Sequence, residues 1–163
     1  MKVMKFGGTS VGKPERMHQV AELVTKSKES KIVVLSALSG TTNALVMISE
    51  ELANGKKDKA KQHIDDLEKH YHEFIQNLLK SKTLRQKADA IIKEHFEFLN
   101  IILRISFSDA LNKDILAQGE LMSTKLFSLY LEEIKVDHLL LPALEFMRID
   151  ANDEPDLKSI KSS

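Results

Sequence analysis

The 163-residue chain contains no cysteine, which excludes disulfide bonds and thiol chemistry. It also lacks net charge, because 24 Lys and Arg residues balance 24 Asp and Glu residues. A neutral chain has no overall field that would attract nucleic acid or an acidic membrane. We therefore expect neither of them as a partner.

Long apolar runs are missing as well. No stretch approaches the roughly 18 apolar residues of a membrane span, and the N-terminal run "MKVMKFGG" is too short for a signal peptide. With 42% apolar and 29% charged residues, the composition is typical of a soluble globular chain with one core. These features predict a cytoplasmic protein.

The first forty residues carry the pattern of a strand, a helix and a second strand. Residues 2–6 and 31–37 are short apolar runs that end at glycine-containing loops, and both are predicted to be buried strands. Residues 14–28 repeat apolar positions at helical spacing after a proline. Such a βαβ unit has parallel strands, so both loops should lie at the same edge of the sheet, where open α/β sheets bind ligands.

The middle of the chain is helical. Residues 57–80 and 83–103 each keep a 3.6-residue apolar period, which predicts a helical hairpin inserted at about residues 57–104. Residues 114–134 predict a further helix, and "HLLLPA" (138–143) predicts a third strand. The polar end of the chain is predicted to have no closing element.

Residues 7–13 spell G-x-x-x-x-G-K, which is all but the last letter of a phosphate-binding P-loop. A working P-loop needs Ser or Thr after the lysine to hold Mg²⁺, but residue 14 is proline and neither "IVVLSA" nor "HLLLPA" ends in Asp. The pattern therefore favours a solvated Lys13 at a helix entrance over a phosphate ligand.

Lys5 is placed differently, inside an apolar strand and one residue before the paired glycines. Alternation along the strand puts its side chain opposite those of Met4 and Phe6. Gly7 and Gly8 have no Cβ, so backbone amides can approach an anion closely there. A γ-phosphate site with Lys5 as its charge is one interpretation, and an edge strand with Lys5 in water is the alternative.

No metal site is predicted among the side chains. His63, His70 and His72 lie in the hairpin among carboxylates, but no pair has the i, i+4 spacing of a helical zinc site. They are predicted to be part of a solvated helix face.

Four sequence blocks occur together and in the order found in aspartokinases of the amino-acid kinase family. They are "KFGGTSVGKPERM", "VVLSALSGTTN", "GELMSTKLF" and "LLPALEFMR…DEPD", and they cover nearly the whole chain. The resemblance implies a three-layer αβα fold with a mainly parallel sheet. It also implies that ATP, with Mg²⁺, phosphorylates the β-carboxylate of L-aspartate to 4-phospho-L-aspartate, which opens the pathway to lysine, threonine and methionine.

The resemblance also assigns roles near the phosphates. It implies that Lys5 is catalytic, because the family's lysine in "KFGG" neutralises charge on the transferring phosphoryl group. It further implies that Lys5, Phe6, Gly7 and Gly8 bind the ATP phosphates, and it gives no such role to Lys13.

On the substrate side, the resemblance implies that Ser36 and Thr42 bind aspartate and that Glu120, in "GELMST", meets its ammonium group. Each has a plainer alternative. Ser36 and Thr42 could serve in a turn and as a helix N-cap, since a helix over 42–53 would begin there, and Glu120 could be a solvated helix residue.

The chain departs from the family's pattern at its end. Aspartokinases continue with a glycine-rich nucleotide-binding half and effector-binding ACT domains, so the resemblance implies that residues 1–163 are the N-terminal part of the catalytic domain and are inactive alone. The "GELMST" block resembles the monofunctional enzymes more than those fused to homoserine dehydrogenase, and a homo-oligomer is implied for the full-length protein. The alternative is a non-catalytic anion-binding or protein-interaction module.

Overall fold

The computed structural model describes residues 2–150 and 154–162 of the chain. It begins with strand β1 (Lys2–Phe6), a short helix α1 (Gly8–Val11), helix α2 (Pro14–Thr25) and strand β2 (Lys31–Leu35). The strands are parallel, in register from Lys2 opposite Lys31 to Phe6 opposite Leu35. The predicted βαβ unit is therefore confirmed.

Four long helices follow: α3 (Thr41–Ala53), α4 (Lys57–Leu78), α5 (Lys82–Ile102) and α6 (Asp109–Glu133). The helical hairpin predicted from the apolar periods is present as α4 and α5. Helix α6 begins five residues earlier than predicted because Ser108 caps it. The Ser108 hydroxyl accepts a hydrogen bond of 3.3 Å from the Leu111 amide, which satisfies a first-turn donor.

The core lies between the inner face of the sheet and helices α2 to α6, where Tyr71 and Phe96 are the largest fully buried side chains. On the opposite sheet face Val3, Ile32 and Val34 are 66%, 41% and 44% exposed. The prediction that both strands are buried is therefore wrong for that face, because over the described residues no element covers it. The class is α/β, as predicted.

The predicted third strand is not formed. Residues 137–142 belong to no strand, and the sheet over the described residues has β1 and β2 alone. Leu139 and Leu141 are 78% and 59% exposed. An apolar run becomes a strand only when a neighbouring strand accepts its ladder bonds, and this run pairs with neither edge of the sheet.

The end of the chain is more ordered than predicted. After the short helix α7 (Ala143–Phe146), Ile149 and Pro155 form an isolated antiparallel bridge, and helix α8 (Leu157–Ser162) follows. Among the described helices, none combines the length and the apolar content needed to cross a membrane.

Candidate functional site

The loops that follow β1 and β2 lie side by side at one edge of the sheet. The Ser36 amide donates a 3.0 Å hydrogen bond to the Phe6 carbonyl, which joins the loops where the strands end. Parallel strands bring their carboxyl ends to one edge, so this agrees with the position predicted for a ligand. The candidate residues of the first two sequence blocks lie in these loops, in β1, in α1 or in the first turn of α3.

Lys5 projects from the uncovered face of the sheet and is exposed, as its alternation with Met4 and Phe6 predicted. Its ammonium nitrogen lies 4.0 Å from the point that a Cβ on Gly7 would occupy. Among the described residues it makes no ion pair. The charge therefore stands beside the glycine turn and is available to an anion.

Gly7 is the N-cap of α1, and the Ser10 amide bonds back to its carbonyl at 2.8 Å. The first N–H groups of any helix lack acceptors within the helix, and this helix begins at Gly8, three residues after Lys5. The side chain of Phe6, in contrast, packs against the core. Its predicted contact with phosphate would have to come from its backbone.

Lys13 is the N-cap residue of α2, in extended backbone and exposed, and its side chain makes no cap hydrogen bond. This position agrees with the solvated lysine that the sequence favoured. Gly12, which completes the P-loop-like pattern, has a steric explanation. A Cβ there would lie 2.7 Å from the Gly8 carbonyl oxygen and 2.9 Å from the Ser39 amide nitrogen.

Helix α6 is joined to the loop after β2 by two polar contacts. The Ala37 amide donates to Glu120 Oε1 at 3.3 Å, and the Ser123 hydroxyl donates to the Ser36 carbonyl at 2.8 Å. Glu120 remains exposed, so its carboxylate borders the open edge of the sheet. The structure thus brings Ser36 and Glu120 together, although they are 84 residues apart in sequence.

The close approach of α6 depends on Gly119. A Cβ on Gly119 would lie 2.7 Å from Ala37 Cβ and 3.2 Å from Thr41 Cγ2. Carbon atoms normally pack at about 3.5–4.0 Å, so there is no room for a side chain. The glycine that precedes Glu120 therefore sets the distance between α6 and the loop.

Thr42 is exposed in the first turn of α3. The suggestion that it caps this helix is wrong, because the N-cap is Gly40 with φ of +85°, a conformation that favours glycine. The hydroxyl of Thr42 is therefore not used as a cap. Its neighbour Thr41 is fully buried and shares a 3.2 Å hydrogen bond with the Tyr71 hydroxyl.

Sequence reasoning missed the partners that hold this site together. The Ala37 amide has no signature in a sequence, whereas Ser123 lies within "GELMST" and could have been noticed. Tyr71 was predicted only as part of an apolar helix face. A phenol hydroxyl on such a face was the available signal, because a buried hydroxyl requires a hydrogen-bond partner.

The histidines do not form a metal site. Among the described residues no three His, Asp or Glu side chains come together as ligands would. His72 instead pairs with Asp89 at 2.8 Å between α4 and α5 and is about half exposed.

His95 is buried between α5 and α6. Its Nδ1 lies 2.6 Å from Gln118 Oε1, and its Nε2 lies 2.9 Å from Lys125 Nζ. Burial lowers the pKa of His95, and the nearby Lys125 charge lowers it further, against an opposing effect of the Gln118 hydrogen bond. A neutral ring that donates from Nδ1 and accepts at Nε2 satisfies both neighbours.

Known proteins resemble most of this chain. Lysine-sensitive aspartokinase 3 of Escherichia coli is 30% identical over 161 residues, which are 97% of this chain and 35% of that protein. The chloroplastic aspartokinase 3 of Arabidopsis thaliana is 37% identical over 139 residues, 81% of this chain and 24% of that protein. The chain thus spans about a third of the length of the curated relatives it matches, or less.

Solved structures of aspartokinases also match this chain. Escherichia coli aspartokinase III in complex with aspartate and ADP matches with a TM-score of 0.81 and 28% identity, covering 99% of this chain and 36% of that one. The same enzyme in complex with lysine and aspartate matches with a TM-score of 0.83 and 27% identity, over the same shares of the two chains. The model of the amino acid kinase family matches residues 1–161. With its parallel βαβ unit and its glycine loop at the sheet edge, the chain belongs to the amino acid kinase family.

Proposed function

We propose that the protein carrying this chain is an aspartate kinase, which transfers the γ-phosphoryl group of ATP to the β-carboxylate of L-aspartate. The product is 4-phospho-L-aspartate, and the reaction opens the route to lysine, threonine and methionine. Relatives named aspartokinases match 97% and 81% of the chain. The observation that carries the proposal is the contact of Glu120 with the Ala37 amide, at the edge that also holds the Lys5 turn.

Lys5 is the catalytic residue of this proposal. Its ammonium group neutralises charge that spreads over the transferring phosphoryl oxygens, and phosphoryl transfer depends mainly on positioning and charge stabilisation. Gly7 and Gly8 let backbone amides approach the γ-phosphate, and Phe6 contributes only its backbone. The unpaired state of Lys5 within the described chain supports this role, because a lysine already in an ion pair would have to release its partner.

Glu120, Ser36 and Thr42 form the aspartate side. The Glu120 carboxylate binds the substrate ammonium group, while Ser36 and Thr42 supply hydroxyl groups for its carboxylates. The exposure of Glu120 and Thr42 at the same edge supports this division.

Further features of the whole protein belong to the same proposal. They are a cytoplasmic location, a homo-oligomer, and the place of this chain as the N-terminal part of a longer catalytic domain. The 163-residue chain alone is expected not to turn over, because it supplies the aspartate side and one γ-phosphate contact without the groups that hold adenine and the inner phosphates. Mg²⁺ remains an expectation from the resemblance.

The experiment uses the full-length protein with ATP, Mg²⁺ and aspartate, and hydroxylamine traps any acyl phosphate as a hydroxamate. We expect Lys5→Ala to lower kcat at least ~10²-fold, because a charge that acts mainly in the transition state is lost. Lys13→Ala is the matched control and should be nearly silent. A larger effect at Lys13 than at Lys5 would reverse the assignment.

Glu120→Gln tests the substrate side. It should raise the KM for aspartate about 10-fold, because a charge-assisted contact becomes a neutral one, and leave the KM for ATP unchanged. Glu97→Gln, at an exposed position of α5, is the control. If the folded parent forms no hydroxamate, the non-catalytic module is the better description of the protein.

A further inference from the structure

Tyr71 lies in α4 on the helix face that packs against α3, and it is fully buried. Phenylalanine would fill the same space, so packing alone does not explain the hydroxyl. A hydroxyl without a partner is costly in the core, and this one has Thr41 Oγ1 at 3.2 Å. The ring also meets Phe96 of α5 edge to face, with centroids 5.9 Å apart. Contacts from α3 and from α5 therefore hold Tyr71 in place.

Thr41, the partner of Tyr71, lies between the hairpin and the candidate site. It is the first residue of α3, its amide donates to the Leu38 carbonyl at 3.0 Å, and Thr42 follows it directly. On its other side, Thr41 Cγ2 would lie 3.2 Å from a Cβ on Gly119, the residue before Glu120. A displacement of Thr41 would therefore shift both Thr42, which follows it in α3, and the part of α6 that carries Glu120.

The charge of Glu120 also reaches Tyr71. Burial raises the pKa of the Tyr71 phenol above its ordinary value, and the Glu120 carboxylate raises it further, against the opposing effect of the Thr41 hydrogen bond. The Tyr71 phenol therefore stays neutral, and Glu120 is the negatively charged group of the two. The phenol can act only as a hydrogen-bonding group.

We propose that Tyr71 is a positioning residue, which acts through Thr41 to fix the start of α3 and, with it, the Thr42 and Glu120 sides of the aspartate site. The helical hairpin is then a structural part of the substrate site. This inference rests on the proposed aspartate kinase function for its substrate, but the contact between Tyr71 and Thr41 can be tested without activity.

The first measurement is amide hydrogen exchange on the folded full-length protein. Tyr71→Phe should accelerate exchange in residues 38–45 about fivefold, the effect of losing one hydrogen bond, and leave residues 14–25 unchanged. Tyr130→Phe removes the chain's other tyrosine hydroxyl and is the matched control. Unchanged exchange in residues 38–45 would overturn the proposal, and so would faster exchange throughout the protein.

The second measurement is steady-state kinetics. Tyr71→Phe should raise the KM for aspartate about 3- to 10-fold with the KM for ATP unchanged, since one hydrogen bond that orders the aspartate side is lost. Thr41→Val should do the same and Thr41→Ser should not, while Tyr71→Phe should add nothing further in the Thr41→Val protein. Equal increases in both KM values, or additive effects, would overturn the positioning role.

The two failures are distinguishable. A parent protein that forms no hydroxamate refutes the proposed function, and the exchange measurement still decides whether Tyr71 fixes residues 38–45. If the parent is active but Tyr71→Phe changes neither the hydrogen exchange of residues 38–45 nor the KM for aspartate, the inference is refuted and the proposed function stands.

Discussion

Gly119→Ala places one methyl group where α6 meets the loop after β2. The added Cβ would lie 2.7 Å from Ala37 Cβ, whereas carbon atoms pack at about 3.5–4.0 Å. Ala37 Cβ is fixed directly to the backbone and cannot rotate away, so the helix and the loop must separate by about 1 Å. The substitution therefore tests whether the close approach holds Glu120 in place.

Two opposing effects decide the stability of this variant. Alanine is a better helix former than glycine by about 1 kcal/mol, while overpacking a well-packed site costs about 1–3 kcal/mol. The net expectation is a loss of about 0–2 kcal/mol in the free energy of unfolding. Because the thermal midpoint of a chain of this size moves about 2–4 °C per kcal/mol, the midpoint should fall by at most about 8 °C.

The effect on the site should be larger than the effect on stability. The Ala37 amide lies 3.3 Å from Glu120 Oε1, already longer than the usual 2.9–3.0 Å, and a further 1 Å would break this contact. The hydrogen bond from Ser123 to Ser36 would lengthen with it. We expect the KM for aspartate to rise about 10-fold in the full-length enzyme.

The assay combines urea unfolding with aspartate kinetics. Ala117→Gly, two residues earlier in α6, measures the glycine–alanine helix propensity in the same turn without adding atoms. The opposite outcome would be that Gly119→Ala stabilises the protein by about 1 kcal/mol and leaves the KM for aspartate unchanged. That result would show that α6 can accommodate the methyl group beside Ala37 at no cost, and it would refute the steric argument.

Three further predictions concern other contacts. The pKa of His95 is lowered in the folded state, so the contribution of His95 to the free energy of unfolding is complete above about pH 6.5. Below that pH the free energy of unfolding should fall by at most about 1.4 kcal/mol per pH unit, because the unfolded chain takes up the proton first. Urea unfolding between pH 5 and 8 should show this slope, and His95→Gln should flatten it. Gly12→Ala should lower the thermal midpoint more than Gly119→Ala, because its Cβ would meet backbone atoms of Gly8 and Ser39, and an equal or smaller loss would contradict this. The partly exposed pair of His72 and Asp89 should show a coupling of about 0.2–1 kcal/mol in a double-mutant cycle at pH 6, and a much larger value would show that solvent does not screen it.

Local sequence patterns could predict the elements that depend on neighbouring residues. The βαβ unit follows from two apolar runs, a proline that begins a helix and the glycines that end β1, and all of these act within a few residues. The hairpin follows from the 3.6-residue period, because a helix satisfies its own backbone hydrogen bonds and needs a partner only for its apolar face. The alternation that turned Lys5 away from Met4 and Phe6 is local in the same sense.

Tertiary structure decided what depends on distant partners. The "HLLLPA" run has the composition of a strand but forms none, because a strand needs a neighbour to accept its ladder bonds. The sequence could place Glu120 and Ser36 in one site only through the family resemblance, and their approach depends on Gly119 fitting against Ala37. The hydrogen bond between Tyr71 and Thr41 joins residues 30 positions apart. Such contacts have no local signature, because they depend on which surfaces meet when the helices pack on the sheet.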